Sequence, residues 1–455
     1  MRRSHLLPIV RCVAAVTLLS CCCCCLAAEG GSEVDGSSLL LQSHLRKSTV
    51  IFPMNGSVYP DGLFYVTMWI GKPPKPYFLD VDTGSDLTWL QCDAPCISCS
   101  QGAHPLYKPK KTNLVPCGDP QCISLGSLRE YECEKPDQQC DYLIEYADRS
   151  SSLGVIVKET FYLRSASGTL LRPSLSFGCG YDQRGSLANL QSAADGILGL
   201  GSGKPSIVSQ LKDHGIATNV IGHCISPQGK VGYLFFGDDL VPSTKSATWI
   251  AMHSHPSGKY SPGPADLVLG KQRIKDLMVI FDSGSSYTYF TSRVYEVLLS
   301  EISKDLSGKP IKKTREDIAL PLCWQGPKAF TSFSEVNNYF KQMVLEFKNS
   351  KKAKLTMSPE NYLIITAQGN VCLGILNGTE VDLGDLNLIG DISMQSHVIV
   401  YDNENHQIGW APANCNRLPI FDGATQFSSQ CHGADVPANE FKQCPAAYLK
   451  PAESG

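Results

Sequence analysis

The sequence predicts an all-β chain built from two similar lobes. Three observations support this: a short acid-bearing motif that occurs twice, a dense series of short strand patterns, and an even set of cysteines suited to disulfides. Residues 78–90 read FLDVDTGSDLTWL and residues 278–290 read MVIFDSGSSYTYF. At a constant offset of 200, Asp282 falls under Asp82, Ser283 under Thr83, Gly284 under Gly84, Ser285 under Ser85, Thr288 under Thr88 and Tyr289 under Trp89. From average residue usage, one D-[ST]-G-S tetrad turns up in about one chain of this length in a hundred, so two in matching contexts point to duplication. A second echo follows each copy, DGILGLG at 195–201 and NLIGD at 387–391. Each half therefore carries a strand, an acid-bearing turn and a later apolar-apolar-Gly element.

The elements follow in order. Two arginines precede an apolar run, LLPIVRCVAAVTLLSCCCCCLAA, that closes on small residues at Ala27 and Ala28. This predicts a signal peptide over 1–28, with an uncleaved anchor as the alternative because Arg11 interrupts the run. Residues 29–62, polar and Gly/Ser-rich with one apolar patch, LLLQSHL, read as a propeptide. From residue 63 the patterns FYVTMWIG, YFLDVD, LTWLQC, YLIEYA, GVIVKETFYL and LSFGCG predict the short strands of an N-terminal lobe, 63–242. DDLVPSTKSA at 238–247 is the connection, and DLVLG, MVIFDSG, LIITA, VCLGIL, HVIVYD and QIGWAP supply a C-terminal lobe, 243–415. Helical periodicity is sparse and clearest at 292–306, where Ser292 can cap and Val294, Val297, Leu298 and Ile302 share a face. Residues 416–455 are a tail rich in polar and small residues.

Composition excludes several function classes. At 455 residues and 43% hydrophobic the chain can build real cores, while a net charge of -3 gives no field to recruit nucleic acid or a membrane surface. The lysine runs at 108–111 and 351–354 read as hairpin-tip surface. Beyond the leader no segment is long and apolar enough to span a bilayer, and AAYLKPAESG lacks the tail of a GPI signal. Of 20 cysteines, Cys12 and those at 21–25 fall in the leader, leaving 14, an even number. Half of these cluster at Cys92, Cys96, Cys99, Cys117, Cys122, Cys133 and Cys140. The spacing of the first three also suits zinc, but an oxidising compartment favours a disulfide-stapled insertion. Sequons place glycan acceptors at Asn55 and Asn377. His253 and His255 lie in a Ser/Pro/Gly-rich loop without a nearby carboxylate, so no metal or other cofactor is expected. The expected protein is a monomer in the secretory pathway, extracellular or vacuolar.

The paired motifs carry the chemistry. Burying a carboxylate costs several kcal/mol unless it is paired or hydrogen-bonded, so Asp82 inside an apolar strand needs a reason. Two acid-bearing turns from two lobes can face each other across a pseudo-twofold axis and share one proton and a water, because like charges about 3 Å apart cannot both ionise cheaply. Such a pair can deprotonate the water and protonate a carbonyl oxygen, which is peptide hydrolysis without metal or covalent intermediate. In that picture Gly84 and Gly284 let backbone approach the acids, Thr83 and Ser283 brace the turns, and Ser85 and Ser285 hydrogen-bond the carboxylates. Asp86 reads as a surface or turn acid, and Asp195 and Asp391 as structural, backbone-bonded acids.

Over residues 63–415 the sequence resembles a pepsin-type aspartic protease, and within that family the plant nucellin-like, or atypical, group. VDTGSDLTWLQC and FDSGSSYTYF resemble the two active-site strands, while DGILGLGSGKPSIVSQL and NLIGDISMQSHVIVYDNENHQIGWAP resemble the elements behind them. The cysteine-rich insert and FGCG point to the plant group, and no saposin-like insert is present. The resemblance implies a two-lobed pepsin-like fold with a central cleft, polypeptide substrates and a flap whose tyrosine maps onto Tyr146, with Trp89 as its hydrogen-bonding neighbour. It also implies disulfides pairing Cys323 with Cys372 and Cys224 with Cys415. Two departures stand out: Ala147 follows the tyrosine where pepsin-like flaps usually carry glycine, and Ser393 stands where an aromatic often follows the GD pair. Two other function classes compete with the protease. One is a secreted relative that keeps the fold but binds, as plant xylanase inhibitors do; the other is a glycan-recognising module built on the cysteine cluster.

Overall fold

The computed structural model describes residues 48–419, apart from 101, 129–132, 190–193, 228–230, 244, 255–257 and 316–319. The expected signal peptide, most of the expected propeptide and nearly all of the tail, with Cys431 and Cys444, lie outside the described residues.

Alternation of apolar and polar residues sets the first lobe. In the strand Leu63–Ile70, Phe64, Val66, Met68 and Ile70 are buried and the residues between them half-buried, the period-two signature of a sheet with one face in the core. The strand Lys75–Asp82 turns Tyr77, Leu79 and Val81 to the core and places Phe78, Asp80 and Asp82 on the opposite face. These two strands and Val50–Ser57 form the antiparallel middle of a 14-stranded sheet. Gly196–Gly199, Trp89–Gln91, Ser174–Arg184, Ser151–Arg164 and Asp141–Glu145 follow on one side. Val231–Phe236, Val220–Ile225, the hairpin His397–Asp402 with Gln407–Pro412, and Thr248–Ala251 follow on the other. Backbone ladders thus run from the first half directly into the chain's last hairpin.

The second lobe has a seven-stranded sheet centred on Gly263–Leu269 and Gln272–Phe281, and a four-stranded sheet of Lys312–Thr314, Cys323–Gln325, Val371–Leu373 and Leu363–Ile365. The internal repeat reappears as topology. Lys75–Asp82 pairs in parallel with Gly196–Gly199, Asp82 opposite Gly199, and Gln272–Phe281 pairs in parallel with Asn387–Ile389, Phe281 opposite Ile389. In each half the strand just after the acid turn, Trp89–Gln91 or Thr288–Phe290, pairs antiparallel with that same element. Helices are few and short. The longest, Ser292–Leu306, buries Val294, Leu298, Ile302 and Leu306.

Two expectations are corrected. The residue at the N-cap of that helix is Thr291, not Ser292, because the Ser292 hydroxyl donates to Asn377 Oδ1 at 3.0 Å instead. Val297 is only partly buried, and Leu306 completes the apolar face. Residues 50–57, inside the segment expected to be a propeptide, form a strand with Val50 fully buried and ladders on both edges, so the folded body begins ahead of residue 63.

The insert between Gln91 and Asp141 is stapled by Cys96–Cys99, Cys117–Cys133 and Cys122–Cys140, while Cys92 reaches out of it to Cys179 of the FGCG segment. Val115, Cys117, Cys122, Leu125 and Cys140 pack with Trp89, Tyr142, Ile144 and Ile156 in one small core. The insert is thereby the floor under the hairpin Asp141–Glu145 and Ser151–Arg164. Cys323–Cys372 joins facing strands of the small sheet, and Cys224–Cys415 ties the first half to the chain after the last hairpin.

Candidate active site

Asp82 ends one strand and Asp282 follows its counterpart, and each turn is held by the echo element of its own half. Leu200 N donates to Asp82 O at 2.7 Å, and Asp282 N donates to Ile389 O at 3.1 Å. Between the halves the hydroxyl residues interlock. Ser283 N donates to Thr83 Oγ1 at 2.9 Å, Thr83 N to Ser283 Oγ at 3.1 Å, and Ser283 Oγ to Val81 O at 2.7 Å. The brace is not fully symmetric, since the Thr83 hydroxyl meets the buried phenol of Tyr401.

This interlock brings Asp82 and Asp282 within hydrogen-bonding range of each other at 5% and 7% exposure. Gly84 N donates to Asp82 Oδ1 at 2.7 Å and Gly284 N to Asp282 Oδ1 at 3.0 Å. Each glycine also faces the other half's acid. A Cβ on Gly84 would lie 2.5 Å from Asp282 Oδ1, and one on Gly284 would collide with Asp82 Oδ1, so the two carboxylates can meet only across residues without side chains. Burial first, then the charge of Asp82, pushes the Asp282 carboxyl up to about 7; Lys259 and the Gly284 N–H act in the opposite direction.

The serines differ. Ser85 Oγ donates to Asp82 Oδ2. Among the described hydrogen bonds Ser285 makes none to Asp282 through its side chain, and its carbonyl instead takes Asp391 N at 2.8 Å. The expectation that both serines serve the acids holds for one of them. Tyr146 lies at the start of the turn after Asp141–Glu145; its hydroxyl accepts from Trp89 Nε1 at 2.7 Å and lies within hydrogen-bonding range of Ser85. Trp89, Tyr146, Ser85 and Asp82 therefore form one continuous polar line from the small core to the acids.

The turn that carries Tyr146 is tight. Tyr146 N donates to Ser150 O at 2.8 Å and Arg149 N to Tyr146 O at 2.9 Å, with Arg149 in the left-handed region at φ 62°. Asp148 ties the turn further by accepting Ser150 N at 3.0 Å and Ser150 Oγ at 2.6 Å. Arg149 reaches the opposite half, its Nη2 lying 2.5 Å from Asp382 Oδ2.

Several acids sit where sequence reasoning did not put them. Asp86 is no surface acid: its Oδ1 accepts Gly203 N at 2.8 Å and burial raises its pKa. Asp195 is backbone-bonded, taking Phe78 N at 2.7 Å and His104 N at 2.8 Å, with His104 Nδ1 at 2.7 Å. Asp391 is not: it is fully buried, neither carboxylate oxygen has a partner among the described groups, and burial with the charges of Asp80, Asp282 and Asp82 holds it well above the carboxylate range. Asp80 was missed. It stands one pleat before Asp82 on the same face, and burial, then the charge of Asp82, raise it as well. The signal was the D-V-D spacing itself. Ser393 is fully buried, its hydroxyl 2.7 Å from Thr288 Oγ1 and donating to Asn361 O at 2.9 Å, which accounts for the missing aromatic. Lys259 was also missed; its Nζ donates to Gly84 O at 3.1 Å from 175 residues away. Of the sequons, Asn55 is exposed, whereas Asn377 uses its amide to cap the next turn and to donate to Glu380 at 2.9 Å.

Comparison with known proteins agrees with this geometry. Residues 64–238 match the family described as xylanase inhibitor N-terminal, and residues 263–412 match xylanase inhibitor C-terminal. An aspartic proteinase of Oryza sativa subsp. japonica is 43% identical over 402 residues, covering 85% of this chain and 96% of the relative. Aspartic proteinase 39 of Arabidopsis thaliana is 30% identical over 406 residues, covering 83% and 80%. Among solved structures, the basic 7S globulin from soybean superposes with a TM-score of 0.62 at 16% identity, covering 80% of this chain and 96% of that one. An aspartic proteinase from Irpex lacteus gives 0.57 at 18%, covering 81% and 98%.

Proposed function

The chain belongs to the pepsin-fold aspartic proteinase family, and on that premise we propose that it is an endopeptidase that hydrolyses peptide bonds at acid pH with a water activated by Asp82 and Asp282. The observation that carries this reading is the meeting of the two carboxylates, one from each half, across two glycines and a reciprocal hydroxyl brace. The donors are unequal. Asp82 accepts from Gly84 N and Ser85 Oγ, while Asp282 accepts from Gly284 N and is pushed toward its protonated form. In the working state the pair holds one proton. Asp82 draws a proton from the water as it attacks, and Asp282 gives its proton to the carbonyl oxygen. The tetrahedral intermediate then collapses with proton transfer to the leaving nitrogen. Tyr146, held by Trp89 and Ser85, covers the site and orients the substrate.

The cysteine-rich insert and the FGCG segment favour the nucellin-like group, and the six disulfides favour a secretory-pathway protein, extracellular or vacuolar, with a leader and a propeptide. A second reading, a catalytically silent binding protein, draws on the inhibitor names of the matching family descriptions. Incubating the purified protein with denatured globin at acid pH separates them. The protease reading expects cleavage that a statine-type inhibitor abolishes and that neither Asp82→Asn nor Asp282→Asn supports, each single variant losing about as much as the double. Absence of cleavage by the processed wild-type protein would leave the binding reading.

A further inference from the structure

We propose that Lys259 is a positioning residue of this site: an ammonium delivered by the second half that holds the first half's catalytic turn at Gly84 and biases the acid pair toward its singly charged state. The proposal rests on the endopeptidase reading for its kinetic consequences, though not for its electrostatic one.

The geometry is a built one. Lys259 Nζ donates to the Gly84 carbonyl at 3.1 Å, and Gly84 is the residue whose N–H holds Asp82 and whose bare Cα faces Asp282. The lysine is half-buried, and the chain on either side of it is pinned to the opposite half. Gly258 O accepts from Ser202 Oγ at 3.3 Å. Tyr260, 2% exposed, donates to Leu200 O at 3.0 Å, accepts from Asn403 Nδ2 at 2.9 Å and packs against Tyr401 at 4.4 Å between centroids, the rings tilted by 34°. Its carbonyl takes Phe281 N at 2.9 Å, one residue before Asp282. The segment that aims Lys259 is thus tied to Ser202 and Leu200, the latter bonded in turn to the Asp82 carbonyl, and to the strand that ends at Phe281, next to Asp282.

The charges around it explain why a cation belongs there. From the catalytic strands come Asp80, Asp82 and Asp282; from the first turn, Asp86; from the segment behind the second turn, Asp391. Among the described residues the other titratable groups facing the pair are the phenols of Tyr146 and Tyr401, with Tyr260 beside Asp86, all neutral in the working range because burial raises them. Five acids in one buried region oppose further ionisation of the pair, each charge making the next more costly. Lys259 acts against this on both Asp282 and Asp86. Hydrolysis needs one charge on the pair, so a fixed cation extends the singly charged state to lower pH.

The test compares wild type with Lys259→Met, Lys259→Gln and Lys259→Arg. Removing the cation disfavours the charged form, so both limbs of the bell-shaped pH–rate profile should move to higher pH, by about half to one unit. Loosening the Gly84 turn should lower kcat/KM about tenfold. Lys259→Arg should hold the limbs near their wild-type positions. A purely structural tie would lower activity in Met, Gln and Arg variants alike with limbs unmoved, and that result overturns the proposal. An infrared titration of the buried carboxyl stretch, on whole protein without substrate, reads the same shift independently of turnover. If wild type cleaves nothing yet the titration midpoint rises in Lys259→Met or Lys259→Gln, the endopeptidase reading fails and the electrostatic role of Lys259 stands. An unmoved midpoint overturns that role.

Discussion

At Asp282 the linkage between protonation and folding can be read directly. Its carboxyl is pushed up to about 7 in the folded chain and returns to about 4 on unfolding. Between those values the folded state binds more protons, so stability contributed by this group is full below pH 4 and falls as pH rises toward 7. Asp282→Asn removes that loss and should raise stability over wild type by about 2–4 kcal/mol at pH 7, and by little at pH 3.5, in thermal or denaturant unfolding at the two pH values. A gain that is equal at both would mean that burial and charge do not act on Asp282 as described. At this scale the sequence was legible where a residue type repeats. The two facing acids, their glycines and the bracing hydroxyls followed from one motif found twice. Asp80 could have been read from strand alternation, while the reading of Asp86 as a surface or turn acid missed its partner, Gly203, which lies in a loop 117 residues away. Lys259 gave no signal, since a lysine in a Pro/Gly/Ser-rich loop reads as solvated and only tertiary packing aims it.

On the proposed endopeptidase reading, the hairpin that carries Tyr146 is the element on which binding turns. Trp89 Nε1 is 2.7 Å from the Tyr146 hydroxyl and the indole is 2% exposed, so Tyr146→Phe strands a buried donor. Tyr146→Phe should lower kcat/KM by about tenfold and Tyr146→Ala by more, with a folded protein by circular dichroism in both cases. Unchanged kinetics in Tyr146→Ala would place substrate closure elsewhere. The hairpin tip meets the opposite half through Arg149 and Asp382, both well exposed, so the pair is worth about 0–1 kcal/mol and is screened by salt. KM in wild type should therefore vary with ionic strength up to 0.5 M by about twofold, a dependence that Asp382→Asn should flatten. The cysteine cluster belongs to this element too. Cys117, Cys122, Cys133 and Cys140 lie in or against the small core beneath that hairpin, which makes this part of the cluster its support. Spacing alone left zinc and disulfides open, because cysteine connectivity depends on which strands the fold brings together.

At the scale of the whole molecule, the two-lobed all-β architecture was legible from the repeat and the strand density, but the strand at 50–57 was not. That segment has a Pro, an Asn-Gly and a sequon and falls within the expected propeptide, yet it pairs with Val231–Phe236 on one edge and Leu63–Ile70 on the other. A chain beginning at residue 63 should expose both edges and lose solubility or about 10 °C in Tm relative to one beginning at residue 48, by light scattering and calorimetry. Equal behaviour would make the strand dispensable. The same sheet has a consequence for how the protein is made. Val220–Ile225 finds its second neighbour only in His397–Asp402, and Cys224 finds its sulfur partner only in Cys415, 191 residues later. At a synthesis rate of roughly 5–20 residues per second, that edge and that thiol wait about 10–40 s for their partners to be made. During that interval the first half is a nearly finished sheet with an open side, so its yield depends on holdase and oxidase capacity more than on the stability of the finished fold.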